Sequence, residues 1–70
     1  MTLTLQQSPV QLALRQSAIP SVRKLRLRET EQFVILEGTV SSYYLKQLSQ
    51  ETVLQCLGGR RLINRVQVSS

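Results

Sequence analysis

The stretch from Val22 to Val40, VRKLRLRETEQFVILEGTV, decides the fold. Its opening residues alternate aliphatics with cations at period two, the pattern of a strand with one buried face. Leu25 and Leu27 point one way, together with Arg23, while Lys24, Arg26 and Arg28 point the other. The polar run Glu29-Thr30-Glu31-Gln32 then reads as a hairpin connection, although it lacks the Asn-Gly or Asp-Gly dipeptide that fixes a tight turn. The second strand, Phe33 to Val40, is apolar on both sides. Val34, Leu36, Gly38 and Val40 form one set, and Phe33, Ile35, Glu37 and Thr39 form the other. Either both faces are buried or one of them is an exposed patch.

Upstream, Ser8-Pro9-Val10-Gln11 supplies a helix start: a capping serine, proline at the first helical position, and Gln11 at capping-box spacing. Val10, Ala13, Leu14, Ser17 and Ala18 make its docking face, and Ile19-Pro20 ends it because the residue before proline avoids the helical region. Residues 1–7 read as an extended lead-in. Downstream, a second helix runs from a cap at Ser41 or Ser42 to a stop at Gly58-Gly59. Tyr44, Leu45, Leu48, Thr52 and Cys56 form its expected core stripe, with Tyr43, Leu54 and Leu57 on the far side. A third strand, RLINRVQV, alternates again: Leu62, Asn64, Val66 and Val68 against Arg61, Ile63, Arg65 and Gln67.

The expected architecture is therefore α+β: one small domain over residues 8–70, in the order α-β-β-α-β, with two helices on one face of a three-stranded sheet. The helix-facing set is Leu25, Leu27, Val34, Leu36, Val40, Leu62, Val66 and Val68. The first strand is placed in the centre, on the reasoning that the second helix must cross over something to deliver the third. Asn64 shares parity with the core, so its amide needs a partner, because an unpaired buried amide costs about 1–3 kcal/mol.

Composition bounds the function. Nine cations stand against four anions in 70 residues, for a net charge of +5. Such a surplus favours anionic partners. No histidine is present, and one cysteine with four scattered glutamates builds neither a standard zinc site nor a nucleophile–base pair. Gly58-Gly59-Arg60-Arg61 precedes a strand and no Lys-Ser/Thr follows, so it is not a phosphate-cradling loop. No enzyme, metal or cofactor is expected. Cys56 alone makes no intrachain disulfide and reads as a small core residue. No span reaches transmembrane length, and no basic leader opens the sequence. On a complete chain this implies the cytoplasm or the cytoplasmic face of a membrane; a piece of a longer exported protein would be periplasmic.

Two spaced signatures carry a family resemblance. Val34, Leu36, Gly38, Val40 and Ser42 follow an apolar-x-Leu-x-Gly-x-Val-x-Ser pattern, and Gly58, Leu62, Asn64, Val66 and Val68 fit a second run. Together, from about Val10 to Val68, they resemble the BON domain. The departure is Gly59, where that family usually has valine. The resemblance implies a non-enzymatic, phospholipid-binding module and gives no catalytic residue to carry over. It also marks Gly38, Val40, Gly58 and Asn64 as structural, with Gly38 allowing a helix to cross the sheet closely.

The expected binding face carries Lys24, Arg26, Arg28, Arg61 and Arg65 around an apolar patch of Phe33, Ile35 and Ile63. Its expected partner is an anionic phospholipid or an acidic protein surface. The alternative is a protein–protein or homo-oligomer contact through the same patch. Nucleic acid ranks third, because Phe33 is the only ring on that face and single-strand readers stack bases on several.

Overall fold

A computed structural model describes residues 8–69. The lead-in expected over residues 1–7 lies outside them, as does Ser70. The elements are α1 (Pro9–Arg15), α2 (Pro20–Arg23), β1 (Arg26–Glu29), β2 (Phe33–Val40), α3 (Tyr43–Leu54) and β3 (Arg61–Val68). The domain is α+β, a three-stranded mixed sheet with all helices contributing to one core.

Ser8 caps α1 by accepting from the Gln11 amide at 3.1 Å, with Pro9 in the first turn. The helix stops at Arg15, earlier than the apolar spacing suggests. Ile19-Pro20 does break the chain's helical path, but Pro20 then opens α2, a single short turn that the alternating reading of Val22 to Arg28 had absorbed into the first strand. Val22, fully buried, anchors this turn. Arg23 donates to the Ser17 carbonyl at 2.8 Å and so tethers α2 to the segment before it. There are three helices rather than two, and β1 shrinks to four residues.

The hairpin between β1 and β2 closes without asparagine or glycine. The Thr30 amide donates to the Phe33 carbonyl at 2.8 Å, while the Thr30 hydroxyl accepts from the Gln32 and Phe33 amides at 3.2 and 2.8 Å. One side chain thus satisfies two turn donors.

The strand order is β1-β2-β3, with β1 antiparallel and β3 parallel to β2. This corrects the expected central position of the first strand. A parallel connection needs a helical crossover above the sheet, not an intervening strand, and so it can join neighbours. The strand with apolar groups on both faces is the one with a neighbour on each side.

The core gathers Val10, Leu14, Val22, Leu25, Val34, Leu36, Val40, Val53 and Val66, with Leu27 and Leu62 packed against it. At roughly 1.5–3 kcal/mol per buried aliphatic, these side chains dominate the driving force. Val68, expected inside, is exposed at the strand end. On α3 the inward stripe is turned by about one position from the expected one. Ser49 and Val53 are fully buried, Leu45 and Cys56 pack against the core, and Tyr44 is 69% exposed. Ser49 satisfies its buried hydroxyl by donating to the Lys46 carbonyl at 2.7 Å. Ser42, not Ser41, caps α3, accepting from the Leu45 amide at 3.2 Å.

Gly38 has φ 137°, in the region that L side chains rarely adopt, and faces the core side of β2. Its open space is filled by the Leu25 side chain rather than by a crossing helix. Gly58 and Gly59 follow with φ 63° and 86°, and the turn closes when the Arg60 amide donates to the Leu57 carbonyl at 3.2 Å. A β-branched residue at position 59 would be strained there.

Candidate anionic-surface interface

All three helices contribute buried residues, Val10, Leu14, Val22 and Val53, to the core on the side of the sheet that carries Val34, Leu36 and Val66. The other side is uncovered by any described element. The register arranges it in rows. Phe33 pairs with Arg61; Arg28, Ile35 and Ile63 lie side by side; Arg26, Glu37 and Arg65 form the next row; Thr39 and Gln67 end the face.

The structure therefore brings together Arg26, Arg28, Arg61 and Arg65 with Phe33, Ile35 and Ile63. The four arginines are exposed and the three apolar residues half-buried. Arginine stems lying along the sheet cover part of such apolar area while their heads stay in water. Lys24 does not join them on the sheet: it is the C-terminal cap of α2 and sits beyond the end of β1.

Glu37 is the face's one carboxylate, and charge counting alone gave it no role. It stands on the central strand between Arg26 and Arg65, with adjacent strands about 4.8 Å apart. Its resolved ion pair is with Arg28 at 3.5 Å, where the two side chains are 62% and 27% exposed. A pair that open is worth at most about 1 kcal/mol. It leaves Arg26, Arg61 and Arg65 without a carboxylate within ion-pair distance among the described residues.

A second ion pair removes Arg60 from the set of available cations. Arg60 donates to Glu29 at 2.8 Å and to the Leu57 carbonyl at 2.8 Å, while the Ser8 hydroxyl donates to the other Glu29 oxygen. This cluster ties the start of α1, the end of β1 and the turn before β3. Burial alone would raise the Glu29 carboxyl, but the hydrogen bonds from Ser8 and Arg60 and the Arg60 charge outweigh it and hold the group below its ordinary 4.5.

Asn64 is structural. Its Oδ1 accepts from the Val66 amide at 3.0 Å and its Nδ2 donates to Gln50 on α3 at 3.2 Å. Gly38, Val40 and Gly58 serve the sheet interior and the turn, as described above.

Chemically the face can hold anions by bidentate guanidinium contacts and can cover shallow apolar surface. Among the described residues no cluster of three His, Cys, Asp or Glu side chains is assembled, and no helix is long and apolar enough to cross a membrane. No protein-family model, curated protein or solved structure matches the chain.

Proposed function

We propose that the protein is a non-enzymatic module that attaches to anionic surfaces, phospholipid membranes first, through the uncovered face of its sheet. The observation that carries this reading is the row pattern on that face: four exposed arginines surrounding Phe33, Ile35 and Ile63, offset by Glu37 alone. Cations near an anionic membrane contribute about 1 kcal/mol each, so four give reversible attachment, with shallow apolar contact adding to it. The resemblance to BON domains in Val34-x-Leu36-x-Gly38-x-Val40 and in the third strand points the same way. Co-sedimentation with vesicles tests it. Binding should require anionic lipid and fall with salt, and binding equal on neutral vesicles would overturn it.

A second reading, self-association or capture of an acidic protein, draws support from β3. It is an eight-residue strand whose outer edge meets no other described strand. Long unpaired edges invite pairing with another chain. Arg61 and Ser69 direct their amides toward β2, so the alternate amides of Leu62, Asn64, Val66 and Val68 face outward. The Asn64 side chain already occupies that of Val66, which blunts the edge at its middle. Light scattering across a concentration series separates the readings: a constant monomer removes self-association and leaves the membrane reading in place.

A further inference from the structure

The positive charge is not spread evenly over the sheet face. A groove of about 670 Å³ wraps the outer edge of β1, with walls from α1, the end of α2 and both sides of the strand. It is lined by Arg15, Arg23, Lys24, Arg26 and Arg28, with Glu37 as its one carboxylate. These account for four of the five net positive charges of the whole chain. The remaining cations and anions nearly cancel, and Arg60, the most firmly held of them, is spent on Glu29.

The five cations come from separate elements: the last turn of α1, the end of α2, the link after it, and alternate residues of β1. Like charges from separate elements repel one another on folding, and the groove holds too little negative charge to offset them. Arg23 is already oriented by its bond to the Ser17 carbonyl. The floor, Leu14, Leu25 and Leu27, belongs to or packs against the core and so gives the cations a firm base. The groove's volume falls in the range of small-molecule sites, and its five cations from four successive segments can meet several anionic groups rather than one.

We infer that this groove is a binding site for a group carrying several clustered phosphates. It rests on the reading above in requiring an anionic ligand, but it places the strongest charge at the β1 edge rather than across the flat face. Arg26 and Arg28 serve both surfaces. Arg15, Arg23 and Lys24 serve the groove alone, and Arg61 and Arg65 serve the face alone. The chemistry is the same whether the phosphates belong to a soluble polyphosphate or to a polyphosphorylated lipid headgroup.

Inorganic tripolyphosphate is the probe, followed by calorimetry and by amide shift mapping on the intact chain. Tripolyphosphate should bind at least about tenfold more tightly than orthophosphate, as expected when several charge-assisted contacts act together. Shifts should concentrate on residues 15–28. The double variant Arg15→Gln/Lys24→Gln, both exposed and away from the sheet ladder, should weaken binding about tenfold or more, whereas Arg61→Gln/Arg65→Gln should stay within about threefold of the wild type. Unchanged thermal midpoints confirm that each variant folds. Equal losses in the two double variants, or tripolyphosphate no better than orthophosphate, would overturn the groove.

Vesicles carrying phosphatidylinositol bisphosphate, against phosphatidylserine vesicles of matched charge, then identify the source. Preference for the bisphosphate, relieved by free tripolyphosphate, supports a headgroup; tripolyphosphate binding with neither vesicle sedimented supports a soluble ligand and sinks the membrane reading instead. Sedimentation on phosphatidylserine with no saturable tripolyphosphate binding keeps the face and removes the groove.

Discussion

Leu25 and Gly38 share one volume: a Cβ placed on Gly38 would stand 2.6 Å from the Leu25 Cδ2. The leucine comes from the residue just before β1, and the glycine from the middle of the central strand. Their contact seats a buried leucine at the entry to a four-residue edge strand whose own inward residue, Leu27, is only partly buried. Gly38→Ala should destabilise by about 2–3 kcal/mol, combining a strained φ with a side chain that must move. Leu25→Ala alone should cost about 2–5 kcal/mol. The double variant should cost less than the sum, because the smaller residue relieves the clash. Urea unfolding of the four proteins gives the cycle, and strict additivity would contradict the contact.

Asn64 should prove separable into its two bonds. Asn64→Ala removes both and should cost about 1 kcal/mol or somewhat more. Asn64→Asp keeps an acceptor for the Val66 amide, and Gln50→Ala removes only the tether to α3. The alanine variant at position 64 should also associate more readily than the wild type, since it frees an outward amide of the β3 edge. Sedimentation velocity reads the association and denaturant titration reads the stability.

Glu29 makes stability depend on acid. Its carboxyl lies below 4.5 in the folded protein. The unfolded chain therefore binds protons more readily, so the contribution is present above the unfolded value and is lost as pH falls through the folded one. Wild-type stability should drop across the window beginning near pH 4.5 and extending below it, while Glu29→Gln should show a shallower slope there. Near neutral pH the same variant should cost about 0.5–1 kcal/mol, the size of a partly exposed pair. Parallel curves for the two proteins would show that Ser8 and Arg60 do not hold the carboxylate.

The register of α3 is open to a direct comparison. Val53→Ala should cost about 2 kcal/mol, whereas Tyr44→Ser should stay within about 0.5 kcal/mol. The opposite ranking would restore the stripe read from periodicity.

That helix shows where the sequence stops being legible. Tyr44 reads as part of the inward stripe by size and hydrophobicity, yet it is exposed, and one of the two fully buried positions is Ser49, whose hydroxyl returns to its own helix. Polarity alone hides such a residue. The strands were more readable, because period-two alternation survives in every one of them, and it placed Arg26, Arg28, Arg61 and Arg65 on the same side as Phe33, Ile35 and Ile63. What alternation could not supply was the short helix at Pro20–Arg23, where Val22 and Leu25 bury on helical rather than strand spacing. It also could not give the strand order, a property of the crossover and not of any single segment.

The most direct test is equilibrium co-sedimentation of the wild type and Arg61→Gln/Arg65→Gln with phosphatidylserine vesicles, at low salt and near 1 M, where the screening length falls to about 3 Å. These two arginines lie on the uncovered face and outside the β1 groove. The wild type should bind at low salt and be released at high salt, and the double variant should bind roughly thirtyfold more weakly, two cations at about 1 kcal/mol each. Equal binding by the two proteins, or binding indifferent to salt, would contradict an anionic-surface role for this face.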